Sequence, residues 1–184
     1  MEYFGNAPYL VRTEGFCRAD CRFIDSDVAE FEQLSRRLLT GQDSAAAPMD
    51  IYARLEALYK GELMPAERKS PFILAQRERF RTMLVDAMVA GTEQALSMRD
   101  MRVALWFARK AKEEDPHRED VYQTLIKAQV AAGQRCSAIR TFFECKEFLN
   151  TDLGLDPSVE VQELYDQLIT VDPSLLKLEP SSFK

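Results

Sequence analysis

The sequence has one histidine, one tryptophan and seven scattered glycines in 184 residues, and each shortage removes a class of chemistry. A hydrolytic triad needs an imidazole beside a nucleophile, and His117 stands alone after Pro116, where an exposed residue at a helix start is expected. The glycines never gather into the short run that cradles a phosphate. The adjacent acids Glu113-Glu114 and Glu119-Asp120 read as solvated charge at helix ends rather than as an acid–base pair. No catalytic residue, cofactor or enzyme activity is expected.

Long apolar runs are also missing. None approaches the roughly 20 residues that a membrane span requires, and Met1 to Leu10 lacks a charged start followed by an apolar stretch. A cytoplasmic protein with no membrane partner is expected. Positive charge is in deficit, with 24 Lys and Arg against 30 Asp and Glu, a formal net charge of −6. An isolated nucleic-acid-binding module would carry a basic patch on a basic domain. Cys17 and Cys21 do not show the paired two-residue gap of a zinc site, and nothing indicates secretion, so no metal or disulfide is expected. Free, mostly buried thiols fit better.

What is present is helical periodicity in a chain that is 46% hydrophobic, enough to bury a core. Ala104, Ala108 and Ala111 precede Asp115-Pro116, and Ala138, Phe142 and Cys145 repeat the first three with the same steps. The offset is 34 residues, the period of a tetratricopeptide-type helical hairpin. Such a unit cannot bury its apolar face alone, so stacked neighbours complete the core and leave a surface for protein partners.

The spacing predicts a helix capped by Asp27 with Phe31, Leu34 and Leu38 inside, then a small-residue linker from Gly41 to Pro48. A short helix carrying Ile51, Leu55, Leu58 and Tyr59 ends at Gly61, and a charged loop runs from Pro65 to Pro71. A longer helix covers Phe72 to about Ser97, with Phe80, Leu84, Ala87, Met88, Gly91 and Ala95 on its inner stripe. Its partner covers about Asp100 to Glu114. The second pair is His117 to Ala132 and Arg135 to Asn150, joined at Gly133, whose counterpart 34 residues earlier is Arg99, so the first hairpin is expected to turn differently. A last helix follows Ser158, with Val161, Leu164, Tyr165, Leu168 and Ile169 on one face. Before all of these, Pro8 to Arg12 and Phe16 to Ile24 flank Thr13-Glu14-Gly15 and predict a short β-hairpin. The fold expected is an all-α, tetratricopeptide-like right-handed array of antiparallel helix pairs with a short N-terminal β-hairpin.

The segment Asp152-Leu153-Gly154-Leu155-Asp156-Pro157-Ser158, followed by Leu164-Tyr165, resembles the close of the bacterial transcriptional activator domain of the antibiotic regulatory protein family of transcription regulators. Ala57-Leu58-Tyr59-Lys60-Gly61-Glu62-Leu63-Met64-Pro65 is similar to that domain's opening motif, and Gln76-Arg77-Glu78-Arg79-Phe80-Arg81 falls among its helices. The resemblance implies three regions. Residues 1–24 would be a β-hairpin resembling the end of a winged helix-turn-helix DNA-binding domain, residues 25–170 the activator domain, and residues 171–184 a C-terminal tail. The three helices of a complete winged domain have no room before Met1, so a fragment of a longer regulator or a stand-alone relative is expected.

The resemblance implies a regulatory or activator module working through protein contacts, with DNA reached only through a missing or separate winged-helix domain. Partners would be a second copy, a DNA-binding domain or the transcription machinery, met by the concave surface around residues 80 to 150. Arg12, Arg18 and Arg22 on the hairpin are candidates for the DNA backbone, as wings commonly lie on phosphates. Arg77 and Arg81, in a cluster with Arg79, Arg68 and Lys69, are candidates for protein contact, against a solvated helix face broken up by Glu67 and Glu78. Trp106 is either a core residue or a docking anchor. A free-standing tetratricopeptide-like scaffold unrelated to transcription is the alternative function.

Overall fold

The computed structural model describes residues 10–13, 16–19, 26–41 and 48–170. At its start the backbone of β1 (Leu10–Thr13) pairs antiparallel with β2 (Phe16–Ala19), Val11 opposite Arg18 and Arg12 opposite Cys17. Seven α-helices follow among the described residues: α1 (Asp27–Thr40), α2 (Pro48–Leu58), α3 (Pro71–Ser97), α4 (Met101–Glu114), α5 (Glu119–Ala131), α6 (Arg135–Phe148) and α7 (Val159–Thr170). Helices α1, α3, α5 and α7 pack side by side in one layer, and α2, α4 and α6 cover them in a second. Residues 171–184, expected as a tail, lie outside the described residues.

Local chemistry sets the helix ends. Ser26, not Asp27, caps α1: its Oγ accepts from the Ala29 amide at 3.3 Å, and Asp27 is the first helical residue. Serine has the extended backbone a cap needs, while Asp27 favours the helix from inside its first turn, where negative charge meets the dipole. Pro48 opens α2 rather than closing the linker, since proline suits a first turn. That helix stops at Leu58, short of Gly61, whose φ of +116° only glycine adopts readily. Ser70 caps α3 with Pro71 just inside, and Asp100 caps α4 through the Val103 amide at 3.1 Å. Helix α5 begins at Glu119 instead of His117, because the Asp115 carboxylate accepts the His117 amide at 3.2 Å and holds a turn there. Helix α6 ends at Phe148 in a π-turn, Leu149–Leu153, that Gly154 terminates at φ +65°.

The two hairpins turn in the same way, which corrects the difference expected from Arg99. Met98 N–H bonds to Gln94 O, Arg99 N–H to Leu96 O and Asp100 N–H to Ala95 O. Thirty-four residues on, Ala132 bonds to Ala128, Gly133 to Val130 and Gln134 to Gln129 in the same pattern. Arg99 adopts φ +60° where Gly133 adopts φ +71°. The stacked geometry dictates the turn, and Arg99 bears the steric cost of the left-handed region that glycine escapes.

The repeated small residues are fully enclosed: Ala104, Ala108, Ala111, Ala138 and Cys145 are 0% exposed and Phe142 is 2% exposed. The expected inner stripe of α3 is buried throughout. Gly91 has a steric reason: a Cβ there would meet the Phe107 ring at 3.0 Å. The same positions one repeat later hold Leu125 and Thr141, so bulk has changed sides of the hairpin. On α7, Val161, Leu164 and Leu168 are buried and Tyr165 stacks on Phe142 at 4.2 Å. Ile169, expected on the same face, is 51% exposed, because it lies at the rim where no described neighbour covers it.

Gly91→Ala is expected to cost about 1–3 kcal/mol, since the buried Phe107 ring has nowhere to go. Arg99→Gly is expected to stabilise, and Gly133→Ala to destabilise, each by about 1 kcal/mol. Urea unfolding followed by circular dichroism measures all three. Burial also pushes the Cys145 thiol from 9.0 up to about 11, with Glu119 adding to the effect. Between those values the unfolded chain releases a proton that the folded chain keeps, so stability falls as pH rises above 9, by about 3 kcal/mol at most. Cys145→Ala flattens that slope between pH 9 and 10 in the same unfolding series.

Candidate functional site

A groove of about 600 Å³ opens between the start of α1, the α2–α3 loop and the first half of α3. Its floor is aromatic. Phe31 stacks against Tyr59 at 5.9 Å and meets Phe80 edge-on at 5.9 Å, the two kinds of arrangement that the ring quadrupole favours. The spacing of α3 places Leu74, Arg77, Glu78 and Arg81 on one helical face along the wall. Met64 and Leu74 form an apolar lip, 57% and 46% exposed.

Arg77 holds the opposite wall. Its Nε donates to the Leu63 carbonyl at 2.7 Å, and its Nη2 to the carbonyls of Met64 at 2.5 Å and Glu67 at 2.7 Å. Nη1 also lies 3.7 Å from the Glu62 carboxylate, and the side chain is only 14% exposed. The rigid guanidinium fork suits three carbonyls that lie outside any helix or sheet, of which that of Met64 also accepts the Glu67 amide at 2.9 Å. It also secures Met64 at φ +48°, an outlier in a non-glycine residue. The Glu67 carboxylate accepts from the amides of Lys69 and Ser70 at 2.8 and 3.0 Å, bonds that lower its pKa. The loop therefore ends in a turn that leads directly into the Ser70 cap.

The other candidates are placed differently. Arg81 reaches the groove and bonds Glu78 at 2.7 Å, which keeps its guanidinium charged, with 40% of the side chain exposed. Trp106 is half-buried on α4, outside the groove, 4.6 Å edge-on from Tyr52 and 5.3 Å from Phe107. Arg12 and Arg18 lie on β1 and β2, where the backbone alone is described, and Arg22 lies outside the described residues. Among the candidates whose side chains are described, only Arg77 and Arg81 share a site, and Arg77 spends its donors on its own chain. The pairing of Phe31 with Tyr59 and Phe80 escaped the sequence reading because it joins three separate segments. One local signal pointed toward it: Gly61 lies two residues after Tyr59, just past the end of α2.

The far end of the array is pinned in a similar manner. The Glu119 carboxylate accepts the Ser158 amide at 2.7 Å, and the Arg135 Nε donates to the Leu168 carbonyl at 2.8 Å. Arg118 joins α3 to α5 by pairing with Asp86 at 2.7 Å and Asp120 at 2.6 Å. Among the described residues no cluster of His, Cys, Asp and Glu could hold a metal, and no helix is long and apolar enough to cross a membrane.

Arg77→Ala is expected to cost about 2–4 kcal/mol, because three carbonyls lose a charged donor in a part-buried loop. The loop around Met64 should then be cut first in limited proteolysis. If residues 60 to 68 stay as protected as in the parent chain, the clamp is not what orders them.

Comparison with known proteins agrees with this architecture. The chain is 23% identical over 133 residues to the Regulatory protein AfsR of Streptomyces coelicolor, a match spanning 72% of this chain and 13% of that protein. It superposes on Mycobacterium tuberculosis EmbR, solved in complex with a low affinity phosphopeptide, with a TM-score of 0.68 at 18% identity. That match covers 95% of this chain and 48% of EmbR, so the chain spans less than half of either relative. The profile of the bacterial transcriptional activator domain matches residues 26–169, which begin at the α1 cap and end within α7. This chain belongs to the bacterial transcriptional activator domain family.

Proposed function

We propose that the chain is the regulatory module of a bacterial DNA-binding transcription regulator and that it acts in the cytoplasm through protein contacts. The observation that carries this reading is the groove beside α1. It has an aromatic floor, an exposed apolar lip and a wall that Arg77 makes rigid, so a protein segment can dock with little ordering cost. EmbR binds a phosphopeptide, and AfsR is a regulatory protein, which supports protein recognition within a regulator. Arg81 supplies a charge at the rim, while Arg77 contributes by holding the wall.

On this reading DNA is contacted by a winged-helix domain, with residues 1–24 as its closing hairpin and Arg12, Arg18 and Arg22 on the phosphate backbone. The activator module is then the right-handed array of residues 25–170, and residues 171–184 form a tail.

Leu74→Glu and Met64→Glu change exposed side chains on the groove lip, so folding stability should move by less than about 0.5 kcal/mol. Fused to a heterologous DNA-binding domain, the parent chain should raise transcription of a reporter, and each variant should lower it by about fivefold. A parent fusion that leaves the reporter at background would overturn the activator reading.

A further inference from the structure

The outer face of α4 carries cations that have no partner among the described residues. Many arginines elsewhere meet acids: Arg54 bonds Glu30, Arg79 bonds Glu32 at 2.6 Å, and Arg118 pairs with Asp86 and Asp120, while Arg68 and Arg140 stand exposed on other segments. Arg99, Arg102 and Arg109 are exposed, and none has an ion pair or hydrogen bond from its side chain to another described residue. Arg102, Trp106 and Arg109 follow one another at +4 and +7, so they share one face of the helix. Arg99 lies in the turn immediately before the Asp100 cap.

Two features of this face are unusual. Arg99 keeps a left-handed backbone at the position where the next repeat has glycine, although its side chain makes no hydrogen bond or ion pair with another described residue. Trp106 is held edge-on by Tyr52 and Phe107 and is still partly open between the two free arginines. A fixed aromatic flanked by arginines has the composition of an interface centre, since neither the ring nor its pocket must be ordered on binding.

We propose that the outer face of α4 docks an acidic protein segment, whose carboxylates pair with Arg99, Arg102 and Arg109 around an apolar side chain seated on Trp106. This surface is separate from the groove and does not depend on it. Charge favours a protein over a nucleic acid here. Arg102 and Arg109 are about 10 Å apart along the axis, the rise between residues seven apart on a partner helix as well. A nucleic acid would need a continuous track of cations. The track is interrupted instead. Asp100 lies at one end and Glu113 at the other, and burial first, then the nearby Glu56, Glu114 and Glu113, push up the pKa of Tyr52, whose ring packs on Trp106. Lys110 is already paired with Glu113 at 2.9 Å.

The test uses the full 184-residue chain and a fluorescent helical peptide with glutamates seven residues apart and a leucine between them. Anisotropy should report binding that weakens as salt rises. Arg102→Glu and Arg109→Glu should each weaken it by about fivefold with circular dichroism unchanged. Arg99→Gly should weaken binding by about threefold while raising Tm, a split that a purely structural role would not produce. Leu74→Glu should leave the peptide affinity unchanged, which separates this surface from the groove. No binding at about 1 mM peptide, or tighter binding of a short DNA duplex through the same arginines, would overturn the proposal.

Discussion

The Phe107 ring lies against the backbone of Gly91, and the packing of α2, α3 and α4 is arranged around that contact. Without a side chain at Gly91, α3 and α4 approach closely enough for Phe107 to be fully enclosed. Phe107 then serves as a wall for Tyr52 of α2, 5.2 Å away, and Tyr52 in turn supports Trp106. One small residue on the central helix thus joins three helices into a single aromatic cluster. Helices α1, α2, α4 and α5 all pack against α3, so its middle buries residues beyond the inner stripe, Val85 and Thr92 among them.

Periodicity brings with it a shared backbone geometry that individual residues must accept. The turns at Arg99 and Gly133 have the same hydrogen bonds although their side chains could hardly differ more. A helix pair stacked on its neighbour has little freedom in how it closes, so tertiary packing outweighs the local preference of an arginine. The reverse holds at Gly61, where local conformation ends a helix that the apolar spacing would have continued. Both cases reflect the same competition between a residue's intrinsic cost and the packing gained by accepting it.

Charged side chains do two different jobs along the chain. Arg77, Arg118 and Arg135 are turned inward and tie loops or helices to one another. Their sequence context does not distinguish them from the exposed Arg102 or Arg109. Guanidinium groups with carbonyls or carboxylates of other segments in reach become part of the framework, and those on an outer face stay exposed. The groove owes its rigidity to the first kind. The cationic face of α4 consists of the second.

The sequence by itself determined the helices, their approximate ends and the 34-residue repeat, because apolar spacing and capping residues act over one or two turns. It also carried the family resemblance, through the motifs at Tyr59 to Pro65 and Gly154 to Ser158. Only the tertiary structure decided which arginines are framework and which are surface, since that depends on carbonyls and carboxylates brought from distant segments. The groove is decided at the same level: Phe31, Tyr59 and Phe80 are 49 residues apart at the extremes and meet only when α1, the loop and α3 have packed.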